Sequence, residues 1–201
     1  MIAHTPNPER ICCAAAKLTH EPESRDFMEM MESISEEHIR KVLTHILRLG
    51  HESVIEHATF TFYVDGVSRA LTHQLVRHRI ASYSQQSQRY VDLKGFSYVT
   101  PPRVRMKKEI EERFHQLMED IADVYAGLQE HVPSEDARYV LPNACTTKIV
   151  ITMNARELRH FFKLRLDKTA QWEIREMARR MLKLCREKAP VLFSDIELPD
   201  D

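Results

Sequence analysis

The stretch RHRIASYSQQSQRY, Arg77 to Tyr90, holds three arginines, one histidine, three serines and three glutamines, and no acid. It lies in a longer window, Gly66 to Val91, that contains no Asp or Glu, although the chain carries 30 acids elsewhere. The cations of this window are Arg69, Arg77, Arg79 and Arg89, joined by His73 and His78, with no lysine. A solvated basic face normally mixes in acids and lysines. Arginine without lysine, with its flat bidentate fork, suits a shaped anion such as a phosphate or carboxylate. If a helix continues through Arg79, then Gln74, Arg77 and His78 share a face. Arg77, His78 and Arg79 would then fan out at about 100° each, so either the helix ends there or the three serve two neighbouring ligands. In an extended segment after Tyr83, Ser87 and Arg89 point the same way, and a hydroxyl beside a guanidinium suits a phosphate. No GxSxG elbow surrounds Ser87, so a binding role is expected of it rather than a nucleophilic one.

The elements that must position these residues are legible from period and punctuation. SISE (33–36) has capping-box spacing; Ile39, Val42, Leu43, Ile46 and Leu47 follow at helical spacing, and Gly50 closes the helix. ATFTFYVD (58–65) alternates and reads as a strand. Asp65-Gly66 is expected to start a helix carrying Val67, Leu71 and Leu75, and Gly95 with Pro101-Pro102 marks an irregular region. The spacing predicts the longest helix from about Arg103 to Gln129, with Met106, Ile110, Phe114, Leu117, Ile121, Val124 and Leu128 on its apolar face. A short helix begins at Pro133-Ser134 and ends before Pro142. TKIVITMN (147–154) alternates as a strand; RELRHFFKLRL reads as a short helix and AQWEIREMARRMLKLCREKA (170–189) as a long one, closed by Pro190. Helices exceed strands, which predicts an α+β fold: a small, mainly antiparallel sheet flanked by helices, in a single domain over residues 1–201.

Composition removes several classes. The net charge of −1 is not that of a polycation built to coat nucleic acid. No apolar run approaches a membrane span, and Met1 to Leu18 carries Pro6, Pro8, Glu9 and Arg10 where a signal peptide would be apolar. A soluble cytoplasmic protein is expected, with no membrane partner. Cys12, Cys13, Cys145 and Cys185 form no CxxC pair, so they are expected to be buried thiols. Of the four glycines none builds a GxGxxG or a GxxxxGK[ST] loop, so a nucleotide would have to be gripped by side chains.

The segment RHRIASYSQQSQRY resembles the signature of the flavin-dependent thymidylate synthases, which is RHR, seven residues, then Ser. Arg77, His78, Arg79 and Ser87 fit that spacing, and Arg89-Tyr90 completes it. GHESVIEH (50–57) is similar to the family's upstream HE[ST]xxEH element, and NARELRHFFKLRLDKTAQWEIR (154–175) to its downstream stretch. Order and length match as well, so the resemblance covers nearly the whole chain. It implies a homotetramer of mixed α/β fold with active sites at subunit interfaces. It also implies reductive methylation of dUMP to dTMP, with methylenetetrahydrofolate giving the carbon and FAD, reduced by NADPH, giving the hydride. Carried over by position, FAD should meet Ser53, Arg77, His78, Arg79, Ile80, Gln85, Asn154, Arg156 and His160. The nucleotide should meet Gln74, Arg77, Gln85, Gln86, Ser87, Arg89, Arg138 and Arg165. Arg165 is the expected catalytic residue, a fixed guanidinium that stabilises negative charge developing on the uracil ring. His51 is the expected folate contact. The family often has Asn-Glu where this chain has Ser84-Gln85, and Asn where it has His160.

Two other readings compete. Glu112-His115 and Glu157-His160 have the ExxH spacing of di-iron bundles, but the first pair falls opposite the apolar face, and no metal is expected. A non-enzymatic RNA-binding module could use the basic window (66–91), stacking bases on Tyr83 and Tyr90. The near-neutral charge and the glutamine cluster favour discrete ligand contacts and no nucleic-acid partner.

Overall fold

The structure is a computed structural model that describes residues 1–19 and 26–199. In chain order its elements are β1 (Ala3–His4), α1 (Pro8–Leu18), α2 (Phe27–Ser33), α3 (Glu36–Leu49), a 3-10 turn (Glu52–His57), β2 (Thr59–Ser68), α4 (Arg69–Leu75) and β3 (Ala81–Gln85). There follow α5 (Pro102–Arg105), α6 (Lys108–Gln129), α7 (Ser134–Ala137), a second 3-10 turn (Arg138–Val140), β4 (Thr146–Asn154), α8 (Ala155–Arg165) and α9 (Trp172–Lys188). The four strands form one small antiparallel sheet in the order β1-β2-β4-β3. Its edge pair sets Ala3 against Thr61 and His4 against Phe60. This is the expected α+β fold, with helix dominating strand. No helix among the described residues is long and apolar enough to cross a membrane.

The chain resolves into two compact units. The first comprises Met1–Phe62, His78–Ser82 and Ile151–Asp201. Its core runs through edge-on aromatic contacts: Phe60 on Phe193 (5.7 Å between centroids), Phe193 on Phe162 (5.8 Å) and Phe162 on Phe161 (5.7 Å). Such edge-to-face pairs add to the burial of the rings themselves. The second unit comprises Tyr63–Arg77 and Tyr83–Val150. Its core gathers Phe96, Met118 and Cys145, with Tyr98, Phe114 and Ile121 packed against them. All four cysteines are buried free thiols, as expected; burial pushes the Cys12 thiol up to about 12.

Local chemistry explains most of the element ends. Gly50 closes α3 in the left-handed region at φ 72°, which a side chain adopts only with strain. Asn154 ends β4 and caps α8 in one step, its side chain accepting from Glu157 N at 2.8 Å. Other expectations shift. The cap of α3 is Ser35, not Ser33: α2 runs through Ser33, and α3 begins only at Glu36, with Ser35 Oγ accepting from His38 N at 3.3 Å. The helix expected from Gly66 starts later, because β2 runs on to Ser68, whose hydroxyl then caps Leu71 N at 3.1 Å. The stretch expected to be extended around Ser87 and Arg89 is a turn, with Arg89 N donating to Ser87 Oγ and Val91 N to Ser87 O. β1, α1, α2 and β3 are not among the expected elements, although Pro8 and Glu9 open α1 and Asp26 caps α2.

The long helix departs most. Met106 lies outside it, and the apolar face read from hydrophobicity is offset from the buried one. Met118 and Tyr125 are buried, whereas Ile110, Leu117 and Val124 are 47%, 52% and 52% exposed. A stripe repeating every seven residues is thus left uncovered by the described residues. His115, expected at the surface, is half-buried: its Nδ1 lies 2.5 Å from the Tyr98 hydroxyl, and its ring packs on that of Phe114.

Candidate active site

The RHR triplet lies outside any helix. Helix α4 stops at Leu75, Val76 caps it, and Arg77 N closes the last turn on Gln74 O. Freed from helical spacing, the three side chains diverge: Arg77 and Arg79 are exposed and His78 is buried.

In the first unit His78 lies along one face of α8. Glu157, Phe161 and Arg165 recur every four residues and therefore stack on successive turns. His78 meets all three: Nδ1 is 3.0 Å from Glu157 Oε1, the ring sits edge-on to Phe161 at 5.0 Å, and Nε2 accepts from Arg165 Nε at 3.0 Å. His160 adds a second edge contact at 5.7 Å. His78 is 3% exposed and Glu157 6%. Burial depresses the pKa of His78 below the usual imidazole range; Glu157 opposes the shift, and the cationic Arg165 adds to it. The His78–Glu157 contact is therefore a hydrogen bond from a neutral ring to a carboxylate rather than an ion pair of two full charges. Just past the end of α8, Asp167 Oδ1 accepts from the backbone N and the hydroxyl of Thr169.

The remaining candidates of this unit stand at its surface. His51 and Ser53, at the first 3-10 turn, are exposed, as are Arg79 and Ile80, the latter 67%. Arg156 is engaged by Glu56 at 2.6 Å, and Asn154 by its capping role. An open cleft of about 1580 Å³ between the turns of α8, α9 and the C-terminal segment touches only His160 among the candidates. The chemistry therefore does not centre on it.

In the second unit a different group assembles. Arg89 donates through Nε and Nη2 to Glu135 Oε2 at 3.1 and 2.9 Å, and Arg138 Nε donates to the Glu135 carbonyl at 3.1 Å. Ser87, two residues before Arg89, offers its hydroxyl at the same turn. The Glu135 carboxylate thus occupies the Arg89 fork as a phosphate oxygen would, while Arg138 holds the Glu135 backbone. Gln86 is held by its backbone N on Lys148 O, 2.9 Å, and Gln74 is half-buried near the end of α4. Gln85 Nε2 donates to Thr72 Oγ1 at 3.1 Å and Thr147 Oγ1 at 3.2 Å.

Two carboxylates of the site are not evident from the sequence. Glu157 is legible there only as half of an ExxH pair, although its helical spacing to Arg165 is a usable signal. Glu135 carries no signal, because its contact with Arg89 crosses an irregular segment. The other ExxH pair, Glu112-His115, separates: Glu112 pairs with Lys108 at 3.8 Å, and His115 turns to Tyr98. Tyr83, one of the two rings offered for base stacking, donates its hydroxyl to Leu75 O at 2.8 Å and is partly buried.

Comparison with known proteins gives one consistent result. The family described as "Thymidylate synthase complementing protein" matches residues 1–191. A flavin-dependent thymidylate synthase of Geobacter sulfurreducens is 50% identical over 198 residues, 97% of this chain and 84% of that protein. Similar proteins of the same description come from Clostridium tetani, 46% identical over 96% of this chain and 84% of the relative, and from Sulfolobus acidocaldarius, 44% over 96% and 74%.

Proposed function

The chain belongs to the flavin-dependent thymidylate synthases, and on that premise we propose that it makes dTMP by reductive methylation of dUMP. The carbon comes from methylenetetrahydrofolate and the reducing equivalents from NADPH. FAD, when bound, supplies the hydride. The residues present fit such a cofactor. Arg79, Ser53 and His160 are exposed donors suited to a pyrophosphate or ring edge, and Ile80 offers an uncovered apolar surface to a flat ring. With no glycine loop in the chain, gripping by side chains is the route open to it. His78 belongs to the same region, but its ring is committed to α8.

The observation that carries the reading is Arg165, a guanidinium fixed in orientation by His78 Nε2. Attack on the uracil ring drives negative charge onto its oxygens and nitrogens, and a pre-oriented cation stabilises that charge without reorganising. Arg89, Arg138 and Ser87 supply the phosphate site, with Glu135 as the group that the phosphate displaces. Arg77, Gln74, Gln85 and Gln86 complete the nucleotide contacts, Asn154 and Arg156 the flavin contacts, and His51 the folate contact. The whole chain acts as one functional domain, which the family match over residues 1–191 supports. It works as a cytoplasmic homotetramer with sites at subunit interfaces; the uncovered Ile110–Leu117–Val124 stripe supports an assembly.

The test is a visible absorption spectrum after incubation with FAD and removal of free flavin, followed by dUMP-dependent methyl transfer. Arg165→Ala should retain flavin and form no dTMP. A folded protein that retains no flavin would overturn the reading.

A further inference from the structure

Arg165 Nε carries a single hydrogen, and the structure aims it at His78 Nε2. Nε2 can accept only with its lone pair, so the ring proton must sit on Nδ1. That nitrogen faces Glu157 Oε1 at 3.0 Å. Donation therefore runs one way, from Arg165 to His78 to Glu157. We infer that Glu157 is a positioning residue for Arg165, acting through the tautomer of His78. The inference rests on the reading of Arg165 as the guanidinium that acts on the uracil ring.

The arrangement is balanced electrostatically. A buried carboxylate is costly unless it is paired and hydrogen-bonded. Here Asn154 caps the Glu157 backbone, the neutral ring donates to its side chain, and the cation lies on the ring's far side. Moving the ring proton to Nε2 would set N–H against N–H and push the guanidinium away. Protonating the ring would do the same and add a second cation. A carboxylate on Nδ1 holds the proton there and makes Nε2 a better acceptor, the logic by which an acid orients a catalytic imidazole. The charged and titratable groups facing His78 include Glu157, Arg165 and His160.

The sign of the pH effect follows. The Glu157 charge raises the affinity of His78 for a proton, against burial and Arg165, which lower it. Removing that charge makes the ring harder to protonate. If loss of activity on acidification reflects protonation of His78, Glu157→Gln should shift that acidic limb to lower pH.

The experiment uses the full-length protein and two variants, Glu157→Gln and Glu157→Ala. Long-range proton–nitrogen NMR on the imidazole, without flavin or substrate, reads the tautomer. Steady-state rates with dUMP across pH read the consequence. The wild type should show His78 protonated on Nδ1. Glu157→Ala should show mixed tautomers, with kcat down on the order of tenfold to a hundredfold, as for other residues that orient a catalytic group. KM for dUMP should change little. Glu157→Gln, whose Oε1 still accepts, should lie between and carry the displaced acidic limb. Folded variants that keep the Nδ1 tautomer, or keep wild-type kcat with an unmoved limb, would overturn the inference. An active Arg165→Ala enzyme would instead strike at the role of Arg165, leaving the tautomer to judge the relay by itself.

Discussion

Gln85 stands where the family often has Glu, and its surroundings make the exchange costly in this chain. The Thr72 hydroxyl has one hydrogen, and it is given to Arg69 O at 3.0 Å. Thr72 Oγ1 is therefore an acceptor toward Gln85, whose Nε2 donates to it and to Thr147 Oγ1. In Gln85→Glu a carboxylate would face that oxygen, acceptor against acceptor, unless Thr72 gave up Arg69 O. Either outcome forfeits a hydrogen bond worth about 1 kcal/mol net and leaves a partly buried group unsatisfied for about 1–3 kcal/mol. With Thr147 free to turn its own hydroxyl, the lower half of that range applies, and the variant should lose about 2 kcal/mol at neutral pH. That is roughly a thirtyfold change in the folding equilibrium. A protonated Glu can donate as the amide does, so the introduced acid has its pKa raised in the folded state. The folded state then binds more protons than the unfolded one, and the deficit shrinks as pH falls through the carboxylate range. Urea unfolding at fixed protein concentration, without flavin, at about pH 7 and about pH 5 measures both effects. Equal stability at neutral pH, or a deficit that does not change on acidification, would refute the donor assignment at Gln85.

Two further outcomes are expected. Glu135→Gln should free Arg89 from its carboxylate partner and tighten dUMP binding. The gain should be at most about fivefold, because both groups are half-exposed and such pairs contribute about 1 kcal/mol or less; calorimetry showing unchanged or weaker binding would remove Glu135 from the phosphate site. Leu117→Asp, at the centre of the exposed stripe on α6, should lower the assembly mass seen by sedimentation velocity with helical content retained, and an unchanged mass would show that the stripe does not pair subunits.

Much of the candidate site is legible in the residues alone. The acid-free window, the RHR-to-Ser spacing and Arg165 depend on residue type and order along the chain. The alternation of β4 and the capping Asn154 depend on period and local hydrogen bonding. The elements that fall elsewhere than expected are those that depend on what lies opposite. The α6 face drawn from hydrophobicity is offset, because apolarity does not say whether the same chain or another surface covers a residue. Ser33 matches a cap pattern that Ser35 fulfils, because Ser33 is itself the last residue of α2 and α3 starts only at Glu36.

By itself the sequence determined the family and the dominance of helix over strand. These follow from interactions within a few residues or from the chemistry of side chains taken singly. Only the tertiary structure decided that His78 turns inward while Arg77 and Arg79 turn out, that Glu157 and Arg165 meet on one imidazole, and that Glu135 closes on Arg89. Those contacts join residues 79, 87 and 46 positions apart. Helical period orients a side chain about its own axis but carries no information about the surface it meets, which packing alone supplies.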